Sequence, residues 1–193
     1  KANIIFDVGC NIGINSILFN QFSPAKKIYL FEPNPEALSV AVENSILNNF
    51  AEKVRIFNYC ISNENDKVMK FYSVLEGAAG SLYEDFSKTA SDLRSSYDVR
   101  TKTIDKVCED ENIIPDFVKI DVEGLEKDVL LGFKKNICNT KYIMIEYHKD
   151  DLYEGIEINE GENFILENNF KLEYTIKFPL MEWEDRIYKN IKI

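Results

Sequence analysis

Hydrophobic positions along the chain fall into blocks that switch between strand and helix spacing. Ile4-Ile5-Phe6-Asp7-Val8 is an apolar, β-branched run that reads as a buried strand. A loop with glycines at 9 and 13 follows. Apolar residues at 14, 17, 18 and 22 then fit one face of a helix. Lys27 to Glu32 predicts the second strand. Asn34 is a good N-cap, Pro35 suits the first helical position and Glu36 suits the positive helix end. That helix is predicted to run to about Asn48, with Leu38, Ala41, Val42 and Ile46 on one face. Val54 to Tyr59 reads as a third strand, followed by a loop over residues 60–66.

The pattern then loosens. Lys67 to Val74 and Ser96 to Ile104 read as two extra strands that pair like a hairpin, with a long, small-residue loop between them. Loops of this length are either binding lids or surface excursions, and both readings stand. Regular βα alternation returns with a helix over 105–112, a strand over 116–121, a helix from 125 to about 136, a strand over 141–147 and a helix over 160–169. Phe170 to Phe178 alternates apolar and polar, the mark of a half-buried antiparallel strand. Pro179 to Asp185 reads as a turn and Arg186 to Ile193 as the last strand. The layout predicts an α/β, Rossmann-like, doubly wound seven-stranded sheet with an antiparallel C-terminal strand pair. We read one domain over 1–193, with an inserted strand-loop-strand segment at about 67–104. In such a sheet ligands lie beyond the carboxyl ends of the strands. Those ends are Asp7, Glu32, Cys60, Asp121 and Glu146.

The first strand, glycine loop and helix form a unit suited to a nucleotide-like ligand. Glycine permits a sharp turn and close backbone approach, and helix-start N–H groups face outward. The glycines at 9 and 13, with Asn11 between them, depart from the G-x-G-x-x-G dinucleotide fingerprint. They resemble the D-x-G-x-N-x-G first motif of S-adenosylmethionine-dependent methyltransferases. An acid at the end of the second strand can take both ribose hydroxyls, and Glu32 stands there.

Composition narrows the setting. The 193 residues suffice for one well-buried domain, and 45% of them are hydrophobic. No apolar run approaches the ~20 residues of a membrane span. A net charge of −10 argues against a nucleic-acid partner. The four cysteines form no C-x-x-C pair and there is a single histidine, so neither a zinc site nor a disulfide framework is expected. Reduced thiols point to the cytoplasm. Cys10 reads as a small loop residue rather than a nucleophile. The chain begins with Lys1 directly on the first strand, so the absence of a visible signal peptide says little.

Four blocks together go beyond a generic fold: Asp7-Val8-Gly9-Cys10-Asn11-Ile12-Gly13-Ile14-Asn15-Ser16, Glu32-Pro33-Asn34-Pro35, Lys119-Ile120-Asp121-Val122-Glu123-Gly124-Leu125-Glu126 and Ile145-Glu146-Tyr147-His148. This set resembles the FkbM family of methyltransferases, from the first strand to about residue 150. Cys10 replaces the family's usual alanine. The resemblance implies a class I methyltransferase fold. It also implies methyl transfer from S-adenosylmethionine to a hydroxyl oxygen of a sugar, polyketide or other small metabolite. It assigns the cofactor to Asp7, Gly9, Cys10, Asn11, Gly13, Ser16, Glu32, Pro33 and Asn34, with Ile61 and Ser62 over the adenine.

A hydroxyl acceptor must lose a proton, so a base near the methyl group helps. His148 is the first candidate, ending the fifth core strand with a pKa ordinarily near 6.5; the other reading is a solvent-facing strand end. Asp121 and Glu123 are next. Asp121 is placed to orient the cofactor or take a proton, or else caps the turn before the next helix. Glu126 reads as a first-turn helix acid. A divalent metal on Asp121, Glu123 and Glu146 ranks below metal-free chemistry. Tyr83, Phe86, Tyr97 and Trp183 are candidates for an acceptor pocket or for core, with no role attached to any one. Two other classes remain open: an NAD-linked oxidoreductase on a similar fold, and a non-catalytic S-adenosylmethionine-binding module.

Overall fold

The protein's computed structural model describes residues 2–74, 80–81, 94–148, 158–179 and 183–193. Seven strands form the main sheet: β1 (Ile4–Val8), β2 (Lys27–Phe31), β3 (Val54–Phe57), β8 (Phe117–Ile120), β9 (Tyr142–His148), β10 (Phe170–Lys177) and β11 (Trp183–Asn190). Their order is β10-β11-β9-β8-β1-β2-β3. Strands β3, β2, β1, β8 and β9 run parallel, and β11 is antiparallel to both β9 and β10. The strand order reverses at β1, which has β2 on one side and β8 on the other. A crevice opens at such a switch point, beyond the carboxyl ends of the strands.

Helices α1 (Ile14–Phe22), α2 (Pro35–Leu47), α3 (Ile104–Glu111), α4 (Glu126–Leu131) and α5 (Ile158–Glu167) connect the strands. The central strands are buried on both faces, as parallel strands covered by helices must be. Phe6, Val118, Ile120, Ile143 and Ile145 lie in the larger core cluster, with Val129, Leu130 and Phe133 packed on them. Ile5, Ile28 and Leu30 form a second cluster with Leu38 and Ala41 of α2.

Several boundaries and faces differ from the pattern reading. Of the predicted face on α1, Ile14, Leu18 and Phe22 are exposed, Ile17 is half-buried against the core, and Ser16 is the buried residue. A hydrogen bond to Asp7 draws the serine inward, so polar satisfaction decides the rotation of this helix. On α2 the buried face is Ala37, Leu38, Ala41 and Ser45, one step round from the predicted one, and Ile46 is exposed. The Asn34 side chain accepts from the N–H groups of Glu36 and Ala37, as its place before Pro35 predicted. Helix α4 stops at Leu131, before Gly132, instead of running to about 136. Strand β11 begins at Trp183, inside the span read as a turn. Strand β10 alternates as predicted, but it is the sheet edge and only Phe170 is buried.

A second sheet has the order β4-β7-β5-β6, from β4 (Cys60–Ile61), β5 (Val68–Val74), β6 (Gly80–Ser81) and β7 (Arg94–Lys102). Strands β5 and β7 pair antiparallel from Val68↔Arg100 to Val74↔Arg94, the hairpin expected of the insertion. The long loop expected between these two strands, at about 75–95, lies mostly outside the described residues. No helix among the described residues is long and apolar enough to cross a membrane.

Candidate active site

The crevice is assembled from the ends of β1, β2, β4 and β8, with the β5 strand as an extra wall. After β1 the chain turns through Gly9 at φ +76° and Asn11 at φ +48°, and α1 starts from Gly13 at φ +79°. The Phe31 carbonyl accepts from the N–H of Gly9 at 2.9 Å and of Cys10 at 3.1 Å, which fastens the loop to the end of β2. A Cβ on Gly9 would stand 1.7 Å from the Asp121 carbonyl oxygen, and one on Gly13 would stand 3.1 Å from the Ala41 Cβ. Both glycines therefore serve packing of the loop on β8 and α2. That is a different reason from the ligand approach their spacing suggested.

Glu32 follows β2 and turns its carboxylate back over the loop. It accepts from the Asn11 N–H at 3.0 Å and from the Asn34 N–H at 2.8 Å. Burial pushes its pKa up to about 7, against the lowering by those two amides, and Asp121 and Asp7 add to the rise. Each carboxylate oxygen keeps acceptor capacity beyond its amide bond, directed by a rigid frame. Asn58 Nδ2 holds the Glu32 and Pro33 carbonyls at 2.8 and 2.9 Å.

Beneath the loop lies a buried charge network. Asp7 is wholly buried and accepts from Ser16 Oγ at 2.6 Å. Lys119, also buried, sets its Nζ 2.7 Å from Asp121 Oδ2 and 3.9 Å from Asp7 Oδ1. Burial raises the Asp7 pKa, opposed by Lys119 and Ser16. Burial opposes the Lys119 charge, but Asp121 and Asp7 outweigh it and hold its pKa above the ordinary value. After β8 the chain turns through Glu123 at φ +52° and Gly124 at φ +106°. The Glu126 carboxylate accepts from the N–H groups of Val122 and Gly124. So Glu126 caps this turn, and Asp121 is given to Lys119 instead.

Of the residues assigned from sequence, Gly9, Asn11, Glu32, Pro33, Asn34, Ile61, Asp121 and Glu123 line one continuous cavity. Asp7, Cys10, Gly13, Ser16 and Ser62 are not in its wall; they support it from behind. Ser62 is buried, and its carbonyl abuts Gly132. Burial lifts the Cys10 thiol well above its usual range, so it stays protonated. His148 ends β9, with its backbone opposite Trp183 of β11, and its side chain lies outside the described residues. Tyr83 and Phe86 lie outside them as well. Tyr59, Cys60, Phe71 and Leu125 complete the apolar part of the wall and had no assigned role. The signal for Phe71 was its place on an alternating strand. Nothing in the sequence put that strand over β2.

The carboxylate oxygens of Asp121, Glu123 and Glu146 come within 4.8 Å of one another. That spacing admits a cation. Lys119 already supplies one positive charge to Asp121, and Glu123 and Glu146 complete the group.

Residues 7–172 match the model of the methyltransferase FkbM domain. The chain is 29% identical over 201 residues to a 2-O-methyltransferase, NoeI, of Sinorhizobium fredii, covering 98% of this chain and 80% of that protein. It is 26% identical to the hexuronic acid methyltransferase AglP of Haloferax volcanii, covering 91% of this chain and 66% of the other. Among solved structures it resembles the methyltransferase FkbM of Methylobacillus flagellatus, with a TM-score of 0.64 and 16% identity over 97% of this chain. The match takes in 43% of that longer chain, so this chain spans less than half of it. TrmK of M. capricolum, solved with S-adenosylhomocysteine, matches at a TM-score of 0.59 and 12% identity, over 98% of this chain and 62% of that one. The structural matches speak for the fold, an α/β class I methyltransferase sheet.

Proposed function

The chain belongs to the FkbM methyltransferase family, and from that premise we propose that it methylates a hydroxyl oxygen of a sugar or related small metabolite, using S-adenosylmethionine. One observation carries the cofactor reading: the Glu32 carboxylate, framed by the amides of Asn11 and Asn34, opens into the cavity beside the glycine loop. Its remaining acceptor capacity suits two vicinal ribose hydroxyls. Pro33, Asn34 and Ile61 flank the adenine position, and Asp121 faces the reactive end. Bound there, the sulfonium supplies an electrophilic methyl carbon. The protein's part is to align the acceptor oxygen with that carbon and to take its proton. We assign the proton to His148 first, with Asp121 and Glu123 as the alternatives. One relative is named a 2-O-methyltransferase and the other a hexuronic acid methyltransferase, and together they favour a sugar hydroxyl as acceptor. We place the enzyme in the cytoplasm, where its four free cysteines stay reduced.

Glu32 gives this reading a signed pH dependence. Its pKa without ligand is about 7, above the ordinary 4.5. The ligand-free protein therefore gains from this group most fully below pH 4.5 and loses that gain as pH rises through 7. Ribose hydroxyls donate to the ionised form, so binding favours loss of the proton. Affinity for S-adenosylmethionine should fall roughly tenfold from pH 8 to pH 6. Glu32→Gln should flatten that dependence and weaken binding at pH 8 by about 1.5–3 kcal/mol. Calorimetry at pH 6, 7 and 8 reads both effects. A flat profile in the parent, with Gln binding equally well, removes Glu32 from the ribose site.

The activity itself is tested by single-turnover transfer of a labelled methyl group to glycan hydroxyl acceptors. His148→Ala should slow transfer by ~100-fold with cofactor affinity unchanged. An unchanged rate passes the role of base to the carboxylates. Failure of every hydroxyl acceptor, with cofactor bound, would leave the binding-module reading.

A further inference from the structure

The inserted segment reaches the site through one side chain. Of its described residues, Phe71 alone lines the cavity. Strand alternation puts Met69, Phe71 and Ser73 on one face of β5. Across the pair, Met69 stands opposite Val99 and Phe71 opposite Tyr97 of β7. The Tyr97 ring lies 5.6 Å from the Phe71 ring and backs it. This face closes on Cys60 and Leu125 to form one apolar cluster. Cys60, Phe71 and Leu125 are the members of its core that reach the cavity wall.

The ring is also fixed relative to Glu32. Asn34 donates its backbone N–H to Glu32 Oε1 at 2.8 Å and its side-chain Nδ2 to Ser73 Oγ at 3.4 Å. One residue thus holds both the carboxylate and the strand that carries Phe71. Ser73 and Phe71 are about 7 Å apart along that strand. The remaining wall divides by chemistry: Asn11, Asp121 and Glu123 are polar, whereas the cluster offers carbon and sulfur. The ligand read into this cavity divides in the same way. Its methionine end is charged, and its base has a broad π-face suited to an aromatic or aliphatic surface.

We propose that Phe71 is a cofactor-binding residue, against whose ring the adenine base of the ligand held by Glu32 packs. The inserted sheet then forms one wall of the adenine site. The contact is apolar, so it sets affinity without adding to the pH dependence that belongs to Glu32. This rests on the cofactor reading above.

Calorimetric titration with S-adenosylhomocysteine and with adenosine tests it, on the parent, Phe71→Ala and Phe71→Leu. Val99→Ala is the comparison, because Val99 packs in the same cluster and is not in the cavity wall. Phe71→Ala should bind both titrants about tenfold more weakly, by the same factor at pH 6 and pH 8. Phe71→Leu keeps apolar bulk, and with it the fold, and should bind both about threefold more weakly. Val99→Ala should lower the melting temperature and leave both affinities at the parent's values. Unchanged affinities in the Phe71 variants overturn the proposal, and Phe71→Leu decides alone if Phe71→Ala does not fold. A loss seen with S-adenosylhomocysteine and not with adenosine overturns it, because the contact would then lie at the methionine end. Val99→Ala binding as weakly as Phe71→Ala overturns it too, since loosening of the sheet would then be the cause. If the parent itself binds neither titrant, the cofactor reading has failed and the proposal falls with it.

Discussion

Gly9→Ala should cost the protein most of its folding stability, before any ligand is involved. The new Cβ would stand 1.7 Å from the Asp121 carbonyl oxygen and 2.8 Å from its carbonyl carbon. Neither belongs to a flexible side chain that could swing away. The Asp121 N–H is bonded to the Val8 carbonyl at 3.0 Å, so the β8 end is fixed to β1 at this point. Relief requires the two central strands to part where they are most buried. The backbone at φ +76° adds roughly 1–2 kcal/mol for any residue with a Cβ. Together these exceed about 4 kcal/mol, the range kept for steric failures in a core. Gly13→Ala is the comparison. Its Cβ would meet only the Ala41 Cβ at 3.1 Å, so backbone conformation dominates and about 1–2 kcal/mol is expected. Urea unfolding of both variants without ligand decides the matter. Gly9→Ala unfolding within 1 kcal/mol or so of the parent would return the glycine to a ligand-clearance role.

That result bears on what the sequence could and could not say. The glycine pair, the acid after β2 and the acids after β8 were legible because each depends on local spacing. A strand end fixes which residues face the crevice, and the fold class fixes where the crevice lies. Why the glycines are needed was not legible. The reason is a contact between loops far apart in the chain, Gly9 against Asp121. Helix rotation failed for a related cause. The apolar stripe of α1 lost to Ser16, because a buried carboxylate at Asp7 needed a donor more than the core needed Ile14 or Leu18. Glu126 looked like an ordinary first-turn acid, and only the positive φ of Glu123 and Gly124 explains why a carboxylate must reach back to close that turn. The inserted strands were readable as a pair. Their position over the end of β2, which makes Phe71 part of the cavity wall, was not.

Lys119 is the clearest residue whose importance depends on the assembled structure, and Lys119→Met should show it. The ammonium is buried between two carboxylates, 2.7 Å from Asp121 and 3.9 Å from Asp7. Methionine keeps the bulk and removes the charge. Asp121 can turn toward solvent, but Asp7 is wholly enclosed, and its Oδ1 has no hydrogen bond among the described residues. Breaking a buried pair by removing one partner costs about 3–5 kcal/mol, since the other charge is left uncompensated. The sign with pH follows from Asp7. Burial already holds its folded pKa above the ordinary 3.8, against the pull of Lys119. A carboxyl raised in this way favours the fold most below its unfolded pKa and loses that contribution as pH rises through the folded value. Without Lys119 the folded value climbs further. The penalty should therefore be largest at pH 8 and shrink toward pH 4 as Asp7 takes up a proton. Asp7→Asn in the Lys119→Met background should recover most of the loss, because the stranded charge is gone. Urea unfolding at pH 5 and pH 8 of the parent, the single and the double variant reads all three expectations. A Lys119→Met protein as stable as the parent at pH 8 would mean that water reaches Asp7, and that the network under the glycine loop is not what holds the strand ends together.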